Sequence, residues 1–301
     1  APYRRSHAGG CGLSVEGLPP LLIPPLPAPF VGGDISAGLL RLLADGLPRP
    51  LLLADLGTNG ELALVDAQGR LWLASVPLGP ALEGIGPQCG RMAGPGSITR
   101  FEVSPLGLSC HSVDGPLAAG ADVQGISATG YLSLLALLLR LGCLDADGHF
   151  RTPASPLARR VAPPPRRSRT GLCLPLPYGQ WLAAADVEEL LKVKAAFSQA
   201  LEALLRAADL AASDVACLAL AGALGEHCPP ACLEELGFLP SGMGRRVRAV
   251  GNSSLDGAAL LAAEPWRLPA LARWCATATL VPVAEDPGFH ADYLRHMRFG
   301  V

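Results

Sequence analysis

A short polar segment between two apolar runs carries the side chains best suited to chemistry. The run at 51–54 ends at Asp55, and a second apolar run begins at Leu62, a pattern that predicts a buried strand hairpin. The turn between them contains Gly57, Thr58, Asn59 and Gly60. Glycines leave backbone N–H groups uncovered, a hydroxyl adds a donor, and a carboxylate at a strand end can hold a cation through water. These parts suit a polyphosphate bound with Mg²⁺, while an Asn-Gly pair alone is also the commonest signal of an ordinary hairpin.

Two later turns place glycine where an apolar run ends. The runs at 215–221 and 247–250 both read as buried strands that lead towards helices. The turn residues are Gly222, Ala223, Gly225, Gly251 and Asn252. Open α/β sheets bind ligands where strands end and helices begin, so these turns are candidates for contacts with a nucleoside. Glycine also ends strands for purely steric reasons, which is the alternative for each turn alone.

A fourth candidate is a helix start rich in hydroxyls and small residues. Ser127, Thr129 and Gly130 directly precede the apolar helix predicted at 131–141. Free N–H groups and the positive end of the helix dipole attract an anion at such a position. The alternative is a simple cap, in which Ser127 or Thr129 satisfies the first turn.

Composition and charge narrow the classes of function. The 301 residues are 50% apolar and 17% charged with a net charge of −2, so no overall electrostatic attraction favours nucleic acid or an anionic membrane surface. The helix predicted at 131–141 is too short to span a bilayer. Nine cysteines without a Cys-x-x-Cys pair argue against a disulfide framework and predict a cytoplasmic protein. The cluster of His227, Cys228 and Cys232 lacks a nearby fourth ligand for a metal, which favours buried thiols.

Shifts in composition divide the chain into four segments. We predict an extended, proline-rich lead-in at 1–30, a first lobe at 31–150, an arginine- and proline-rich linker or loop at 151–180, and a second lobe at 181–301. The linker is expected to be exposed and mobile, with docking of an acidic partner as the alternative to a solvated linker. Further helices are expected at 34–44, with Asp34 as its cap, and at 186–208.

Taken together, the motifs resemble the carboxy-terminal region of the reductive activators of corrinoid proteins. The matching stretches are DLGTNGE at 55–61, GPALEG at 79–84, CGRMAGPG at 89–96, LAGALG at 220–225 and GNSSLDGA at 251–258. That family belongs to the superfamily of acetate and sugar kinases, Hsp70 and actin (ASKHA). The resemblance covers about residues 30 to 264. It implies an α/β, actin-like or ribonuclease H-like two-lobe ATPase fold with a nucleotide cleft between the lobes.

The resemblance also implies roles for particular residues. Asp55 would position Mg²⁺ through water, and Glu83 is a candidate water-orienting carboxylate, with a helix-capping acid as its alternative. The β and γ phosphates of ATP would contact Gly57, Thr58, Asn59 and Gly60. A second phosphate contact would come from Ser127, Thr129 and Gly130, although this chain has Ala-Thr-Gly where the family has a Gly-Ser-Gly type of turn. The nucleoside would be lined by Gly222, Ala223, Gly225, Gly251 and Asn252.

The activity that the resemblance implies is ATP-driven reduction of a Co(II) corrinoid to Co(I). Such activators carry an amino-terminal [2Fe–2S] domain, and no closely spaced set of four cysteines occurs in this chain, so a ferredoxin-like electron donor domain is expected upstream of Ala1 or as a separate protein. The expected partner is a corrinoid protein or a corrinoid-dependent methyltransferase, with no nucleic acid and no membrane; a homodimer is left open. The alternatives are a small-molecule kinase of the same superfamily and a nucleotide-binding scaffold without turnover.

Overall fold

The structure, a computed structural model, describes residues 4–6, 21–169 and 171–300. Its strands are β1 (Arg4–Ser6), β2 (Leu21–Ile23), β3 (Leu51–Leu56), β4 (Asn59–Val65), β5 (Leu71–Pro77), β6 (Ser97–Ile98), β7 (Arg100–Ser104), β8 (Gly107–Ser112), β9 (Gly115–Pro116), β10 (Gly125–Ile126), β11 (Arg166–Ser168), β12 (Gly171–Pro175), β13 (Trp181–Ala183), β14 (Cys217–Ala221), β15 (Val247–Ala249) and β16 (Thr279–Leu280). Its helices are α1 (Gly33–Ala44), α2 (Ala128–Arg140), α3 (Pro156–Val161), α4 (Ala184–Ala207), α5 (Gly222–His227), α6 (Pro230–Leu236), α7 (Ser253–Ala263), α8 (Leu268–Cys275) and α9 (Phe289–His296).

A six-stranded sheet forms the centre of the molecule, in the order β15-β14-β3-β4-β5-β16. β3, β4 and β5 form an antiparallel meander, while β14 runs parallel to both β3 and β15. The carboxyl ends of β3, β14 and β15 therefore lie at one edge of the sheet. In the register of β3 and β14, Asp55 lies opposite Ala221, which brings the first motif next to the late glycine turns. The predicted α/β class is confirmed.

Strands from both predicted lobes belong to one sheet, so the predicted lobe boundary is not a boundary between two sheets. β3 to β5 come from the segment assigned to the first lobe, and β14 to β16 from the segment assigned to the second, yet all six pair in one sheet. Apolar runs indicate strands, but they carry no information about which strands pair over long distances along the chain. The glycine turns after β14 and β15 lie near Asp55 because these strands belong to the same sheet as β3.

Helices cover both faces of this sheet, and alternate residues of β3 show the division. Leu51 and Leu53 pack in the cluster that contains α1, whereas Leu52 and Ala54 pack in the cluster that contains α2 and α4. Successive side chains of a strand point to opposite faces. Asp55 therefore continues the face covered by α1, and Leu56 continues the face covered by α2.

The segment at 151–180 is more ordered than the sequence predicts. It contains α3 and, with β13, a three-stranded antiparallel sheet of β11, β12 and β13. Arg159 and Arg160 are exposed as expected, but Ala158 between Leu157 and Arg159 is fully buried, and Leu174 is buried as well. The abundance of arginine and proline hid these apolar anchors, which pack in the main core. The prediction of an exposed, mobile linker along the whole segment is therefore wrong.

Other expectations agree with the structure or fall outside it. In the lead-in, β1 pairs with β2, while residues 1–3 and 7–20 lie outside the described part of the chain. α1 begins at Gly33 with Gly32 as its cap residue, so Asp34 is inside the helix and does not cap it. The eight cysteines that the structure describes are buried and form no disulfide. In the described ranges, none of the helices has the length and hydrophobicity that crossing a bilayer requires.

Candidate functional site

Asp55 and the two late glycine turns line one cavity at the carboxyl edge of the sheet. The cavity has a volume of about 440 Å³ and lies among Asp55, Ala221, Gly222, Gly251, Asn252 and Ser253. Asp55 comes from the end of β3, Gly222 follows β14, and Gly251 follows β15. Open α/β sheets bind their ligands at this type of edge. The structure thus brings together the Mg²⁺ candidate and three of the five residues predicted to line a nucleoside.

The backbone of the two glycine turns has a conformation that favours glycine. Gly222 has φ 73° and Gly251 has φ 54°, both in the left-handed region, and the Gly222 N–H donates to the Gly251 carbonyl at 2.9 Å. This hydrogen bond joins the two turns into one wall of the cavity. Gly225 instead packs inside α5 against the Leu220 carbonyl, and Ala223 lies beside Gly222 in α5. Fewer of the predicted residues therefore line the cavity than the sequence suggests: Ala223 and Gly225 do not.

The start of α7 supplies a polar end to the same cavity. Asn252 caps the helix, because its side-chain oxygen accepts from the Leu255 N–H at 3.0 Å. Ser253 is 2% exposed, and its hydroxyl is buried with no hydrogen-bond partner in the described part of the chain. This hydroxyl lies against α1, where a Cβ at Gly38 would be 3.0 Å from its oxygen, so Ser253 meets the cavity with its other atoms. Sequence reasoning missed Ser253, although its place directly after the Gly-Asn turn was a signal.

Three acidic residues act on one another beside the cavity. Glu61 lies directly opposite Asp55 in the β3–β4 register, and Asp34 is in the first turn of α1 on the same face. Burial, and then the carboxylate of Asp34, raise the pKa of Asp55. Burial, Asp55 and Asp34 raise the pKa of Glu61 to about 7. A bound cation would therefore stabilise the ionised forms of these acids.

The hairpin turn is engaged in internal hydrogen bonds, which corrects part of the prediction. The Gly57 N–H donates to the Asn59 carbonyl at 2.9 Å, so it is not uncovered. The Thr58 hydroxyl donates to the Glu83 carboxylate, and the Thr58 carbonyl accepts from the N–H of Gly79 at 2.9 Å. Neither Gly57 nor Gly60 has a positive φ.

The role of Gly60 in the hairpin is steric. A Cβ at Gly60 would lie 2.7 Å from Leu78, so this glycine permits close packing between the hairpin and the segment after β5. Thr58 and Asn59 are the exposed residues of the turn. These two residues are therefore the part of the turn open to a ligand.

The remaining predicted residues lie on the opposite face of the sheet. A second cavity, of about 280 Å³, is lined by Leu56, Glu83, Ser127, Thr129, Leu224 and His227. Because Asp55 and Leu56 are consecutive in β3, their side chains point to opposite faces. The predicted site therefore divides into two cavities on either side of the end of β3, and the hydrogen bond from Thr58 to Glu83 ties the hairpin turn to the second cavity.

The start of α2 forms the simple cap that the sequence left as an alternative. The Ser127 hydroxyl accepts from the Gly130 N–H at 3.2 Å and lies 2.9 Å from the Thr129 hydroxyl. Both side chains are buried. A Cβ at Gly130 would lie 2.4 Å from the Ile98 carbonyl, so that glycine allows the helix to approach β6. The donors at this end are thus partly used within the protein.

Two groups of side chains in the described part of the chain bear on metal binding. Cys228 and Cys232 are buried free thiols, and burial raises the pKa of both. The one group in the described chain with side chains spaced for a metal is Asp145, Asp147 and His149. Arginine partners already hold its two carboxylates, with Arg151 on the first at 2.6 Å and Arg298 on the second at 2.8 Å. The carboxylates of this group thus take part in ion pairs with arginines.

Besides Ser253, sequence reasoning gave no part in this site to Glu61 and His227. Glu61 stands in the first motif, and a three-residue turn after Leu56 would have predicted its position opposite Asp55. His227 lines the second cavity from the end of α5, where no local sequence signal marks it.

Comparison with known proteins identifies a family and two curated relatives that are similar to this chain. A family model described as the C-terminal domain of RACo, the ASKHA domain, matches residues 49–300. A curated relative from Eubacterium limosum, named corrinoid activation enzyme RamQ, is 30% identical over 285 residues, which are 92% of this chain and 47% of the relative. A second, from Methanosarcina barkeri, is named [Co(II) methylated amine-specific corrinoid protein] reductase; it is 27% identical, with 82% of this chain and 45% of the relative covered.

A solved structure shows the same architecture. It is titled reductive activator for corrinoid,iron-sulfur protein, and it matches with a TM-score of 0.83 and 25% identity over 98% of this chain and 47% of that chain. The predicted ASKHA fold is confirmed by this match. The chain spans about half the length of the curated relatives it matches.

Proposed function

This chain belongs to the family of RACo C-terminal ASKHA domains, and from that premise we propose that it binds ATP with Mg²⁺ at the carboxyl edge of its sheet. We infer further that this nucleotide serves the reductive activation of a corrinoid protein. The single observation that carries the proposal is the cavity of about 440 Å³ shared by Asp55, Gly222 and Gly251.

The residues around this cavity fit the two groups. Mg²⁺ prefers oxygen ligands and usually keeps several waters, which suits Asp55 with Glu61 and Asp34 nearby. Thr58 and Asn59, which are exposed in the hairpin turn, would contact phosphate oxygens, and the start of α7 offers backbone N–H donors to the nucleotide. When bound, Mg²⁺ would neutralise phosphate charge and make the terminal phosphoryl group more reactive.

Coupling of the nucleotide to a partner is the second part of the proposal. The names of the two relatives concern corrinoid activation and the reduction of a Co(II) corrinoid protein. We infer, as the family resemblance implies, that one electron passes from a [2Fe–2S] centre in another part of the system to Co(II), which becomes Co(I). This chain contributes the difference in free energy between its nucleotide-free and nucleotide-bound states, since only such a difference can shift a partner's equilibrium.

A scaffold that binds nucleotide without turnover is the alternative with an observation of its own. The Thr58 hydroxyl is bound to Glu83, the Gly57 N–H is bound to Asn59, and the start of α2 is capped internally. These bonds leave fewer donors for a transition state than the motif alone suggests. Nucleotide binding with no measurable turnover, whether or not a Co(II) corrinoid protein is present, would favour this alternative.

The test measures whether nucleotide changes the affinity for a corrinoid partner. The affinity of this chain for a purified Co(II) corrinoid protein is measured by isothermal titration without nucleotide and with Mg²⁺ plus a non-hydrolysable ATP analogue. We expect the two dissociation constants to differ by at least about fivefold, the lower end of typical coupling. Identical constants in the two conditions would end the coupling proposal, while binding of the analogue itself would still be visible in a separate titration.

A further inference from the structure

One stretch of the chain contains several arginines and no acidic residue. Between Gly148 and Ala185 there are six arginines and neither aspartate nor glutamate, although the whole chain has a net charge of −2. The rest of the chain is therefore acidic. This separation of charge favours a local role for the arginines over attraction of the whole molecule to a polyanion. The six are Arg151, Arg159, Arg160, Arg166, Arg167 and Arg169.

Five of these arginines have no acidic partner within the protein. Arg151 is the exception, since it pairs with the Asp145 carboxylate at 2.6 Å. The other five are exposed, and the part of the chain that the structure describes pairs none of them with a carboxylate. Their charges are therefore available to carboxylates of another molecule. We call these five the arginine surface: Arg159, Arg160, Arg166, Arg167 and Arg169.

Two of the five are held in place by backbone carbonyls. Nε of Arg159 donates to the Pro153 carbonyl at 3.2 Å, and the Arg160 guanidinium donates to the Pro105 carbonyl at 3.1 Å. A guanidinium has five N–H donors, so each contact fixes a side chain and leaves its charge and most of its donors free. The second contact also places Arg160 beside Leu106, which follows Pro105 in the β7–β8 turn and is 95% exposed.

The other three arginines lie on or beside β11, which is an edge strand. β11 pairs with β12 alone in the sheet β11-β12-β13, and its three residues are all exposed. Arg167 lies opposite Leu172 in this pairing, so the two exposed side chains share a face. An extended segment of another protein can add to such an edge through main-chain hydrogen bonds. Arginine at this edge repels a second copy of β11 and favours an acidic segment.

One partner can contact both parts of the arginine surface. Only five residues separate Arg160 from Arg166, so their Cα atoms are at most about 22 Å apart. A protein interface of ordinary size covers about 800 Å² on each side, a patch roughly 30 Å across. Arginine beside exposed apolar side chains is typical of protein interfaces. The exposed apolar residues next to these arginines are Leu106, Leu157 and Leu172.

We propose that the arginine surface docks an acidic, extended segment of a partner protein that also carries apolar side chains. Its carboxylates pair with the arginines, its apolar side chains cover Leu106 and Leu172, and its backbone adds a strand beside β11. None of the five arginines lines either sheet-edge cavity, so this docking holds whether or not the proposed function does.

The test uses a fluorescein-labelled peptide in which Asp alternates with Leu. Its affinity for the chain is measured by fluorescence anisotropy in about 0.05 M and about 0.5 M NaCl. We expect saturable binding at low salt that weakens at least about fivefold at high salt, because salt screens exposed charges. In wild-type protein, amide resonances of residues 157–161, 166–168 and 171–173 are expected to shift with the same saturation curve in a two-dimensional NMR spectrum.

Three further probes separate the parts of the recognition. One peptide has Asn in place of Asp, a second has Ser in place of Leu, and the third probe is a single-stranded oligonucleotide of the same net charge. We expect each to bind at least about fivefold more weakly than the Asp–Leu peptide, because each lacks the carboxylates, the apolar side chains or the peptide backbone that the surface contacts.

Arg166→Gln with Arg167→Gln is the informative variant, because it removes two exposed charges that have no partner to lose within the described chain. We expect it to bind the Asp–Leu peptide at least about fivefold more weakly, the effect of two exposed charge pairs. The matched control is Arg245→Gln with Arg248→Gln. Those two arginines are also exposed, and Arg248 is on β15, an edge strand of the central sheet. The control is expected to bind as wild type does.

Three results would overturn the proposal. The first is an absence of saturable shifts at 157–161 and 166–168 in wild-type protein, which does not depend on any variant folding. The second is equal affinity of wild type for the Asp–Leu peptide and the oligonucleotide or the Asp–Ser peptide, which would make the surface a general polyanion site. The third is an Arg166→Gln, Arg167→Gln protein with native melting behaviour that loses no more affinity than the control.

Discussion

Asp55 and Glu61 face each other across the β3–β4 hairpin, and the motif that contains them predicts this arrangement once the turn length is known. Sequence patterns identified Asp55 as a carboxylate at a strand end. They could not show that Asp34, in a helix that precedes β3, would lie close enough to raise the pKa of both acids. That interaction depends on how α1 packs on the sheet.

Glu61 gives a pH-dependent prediction for stability. Its pKa is about 7 in the folded protein and about 4.5 in the unfolded chain, so folding favours the protonated form and stability falls as pH rises from about 4.5 to about 7. Glu61→Gln is expected to unfold with a free energy about 1–2 kcal/mol higher than wild type at pH 8, a value reduced for solvent screening at this half-buried site, and with little gain at pH 4.5. Urea denaturation in EDTA at the two pH values measures this.

Glu188→Gln is the control for that experiment, because Glu188 is 62% exposed on α4. It is expected to change stability by less than about 0.5 kcal/mol at both pH values. An equal gain for Glu61→Gln at pH 4.5 and pH 8 would contradict the account of its raised pKa.

Glu83 provides a prediction about turnover. Its carboxylate holds the Thr58 hydroxyl and lines the second cavity, across β3 from Asp55. If Glu83 orients the attacking water, Glu83→Gln is expected to lower the ATP hydrolysis rate by about 10²-fold or more while the dissociation constant for ATP changes less than about threefold. Single-turnover hydrolysis and equilibrium titration measure the two quantities. An unchanged hydrolysis rate would assign Glu83 to holding the turn only.

At the scale of elements, strands and helices with strong periodicity were predictable and their partners were not. The helix predicted at 186–208 is α4 at Ala184–Ala207, and the strand predicted at 215–221 is β14 at Cys217–Ala221. The segment at 151–180 misled because all of its arginines are exposed, while the buried residues that fix it are scattered between them and the prolines. Local composition reports the average exposure of a segment, whereas a handful of anchors decides whether it folds.

A substitution at the start of α2 can distinguish a structural role of Ser127 from a role in ligand binding. Ser127 caps the helix and contacts Thr129, and both are buried. Ser127→Ala is expected to lower the free energy of unfolding by about 1–2 kcal/mol, the typical cost of a lost cap. Because the cap is used internally, ATP affinity is expected to stay within about threefold of wild type.

Ser155→Ala is the matched control for that substitution, since Ser155 caps α3 by the same type of hydrogen bond and lines neither sheet-edge cavity. Thermal melts and ATP titrations are run on both variants. A loss of ATP affinity in Ser127→Ala alone would restore the phosphate contact that the motif implied.

At the scale of the whole molecule, one central sheet organises both proposed halves of the nucleotide site. The resemblance that the motifs carry implied the ASKHA fold, and the solved structure with a TM-score of 0.83 bears this out. What the sequence could not predict is the division of its candidates between the two faces of the sheet. That division follows from the alternation of Asp55 and Leu56, which matters only once the packing of α1 and α2 on opposite faces is known.

The central claim is that the sheet-edge cavity binds ATP through a cation held near Asp55. The most direct measurement is isothermal titration of ATP into wild-type protein, Asp55→Asn and the exposed-site control Asp114→Asn, each with Mg²⁺ and with EDTA. Wild type and Asp114→Asn are expected to bind at least about tenfold more tightly with Mg²⁺, a difference of about 1.4 kcal/mol, and Asp55→Asn is expected to lose that difference. Binding of ATP by Asp55→Asn with the full dependence on Mg²⁺ would contradict the claim.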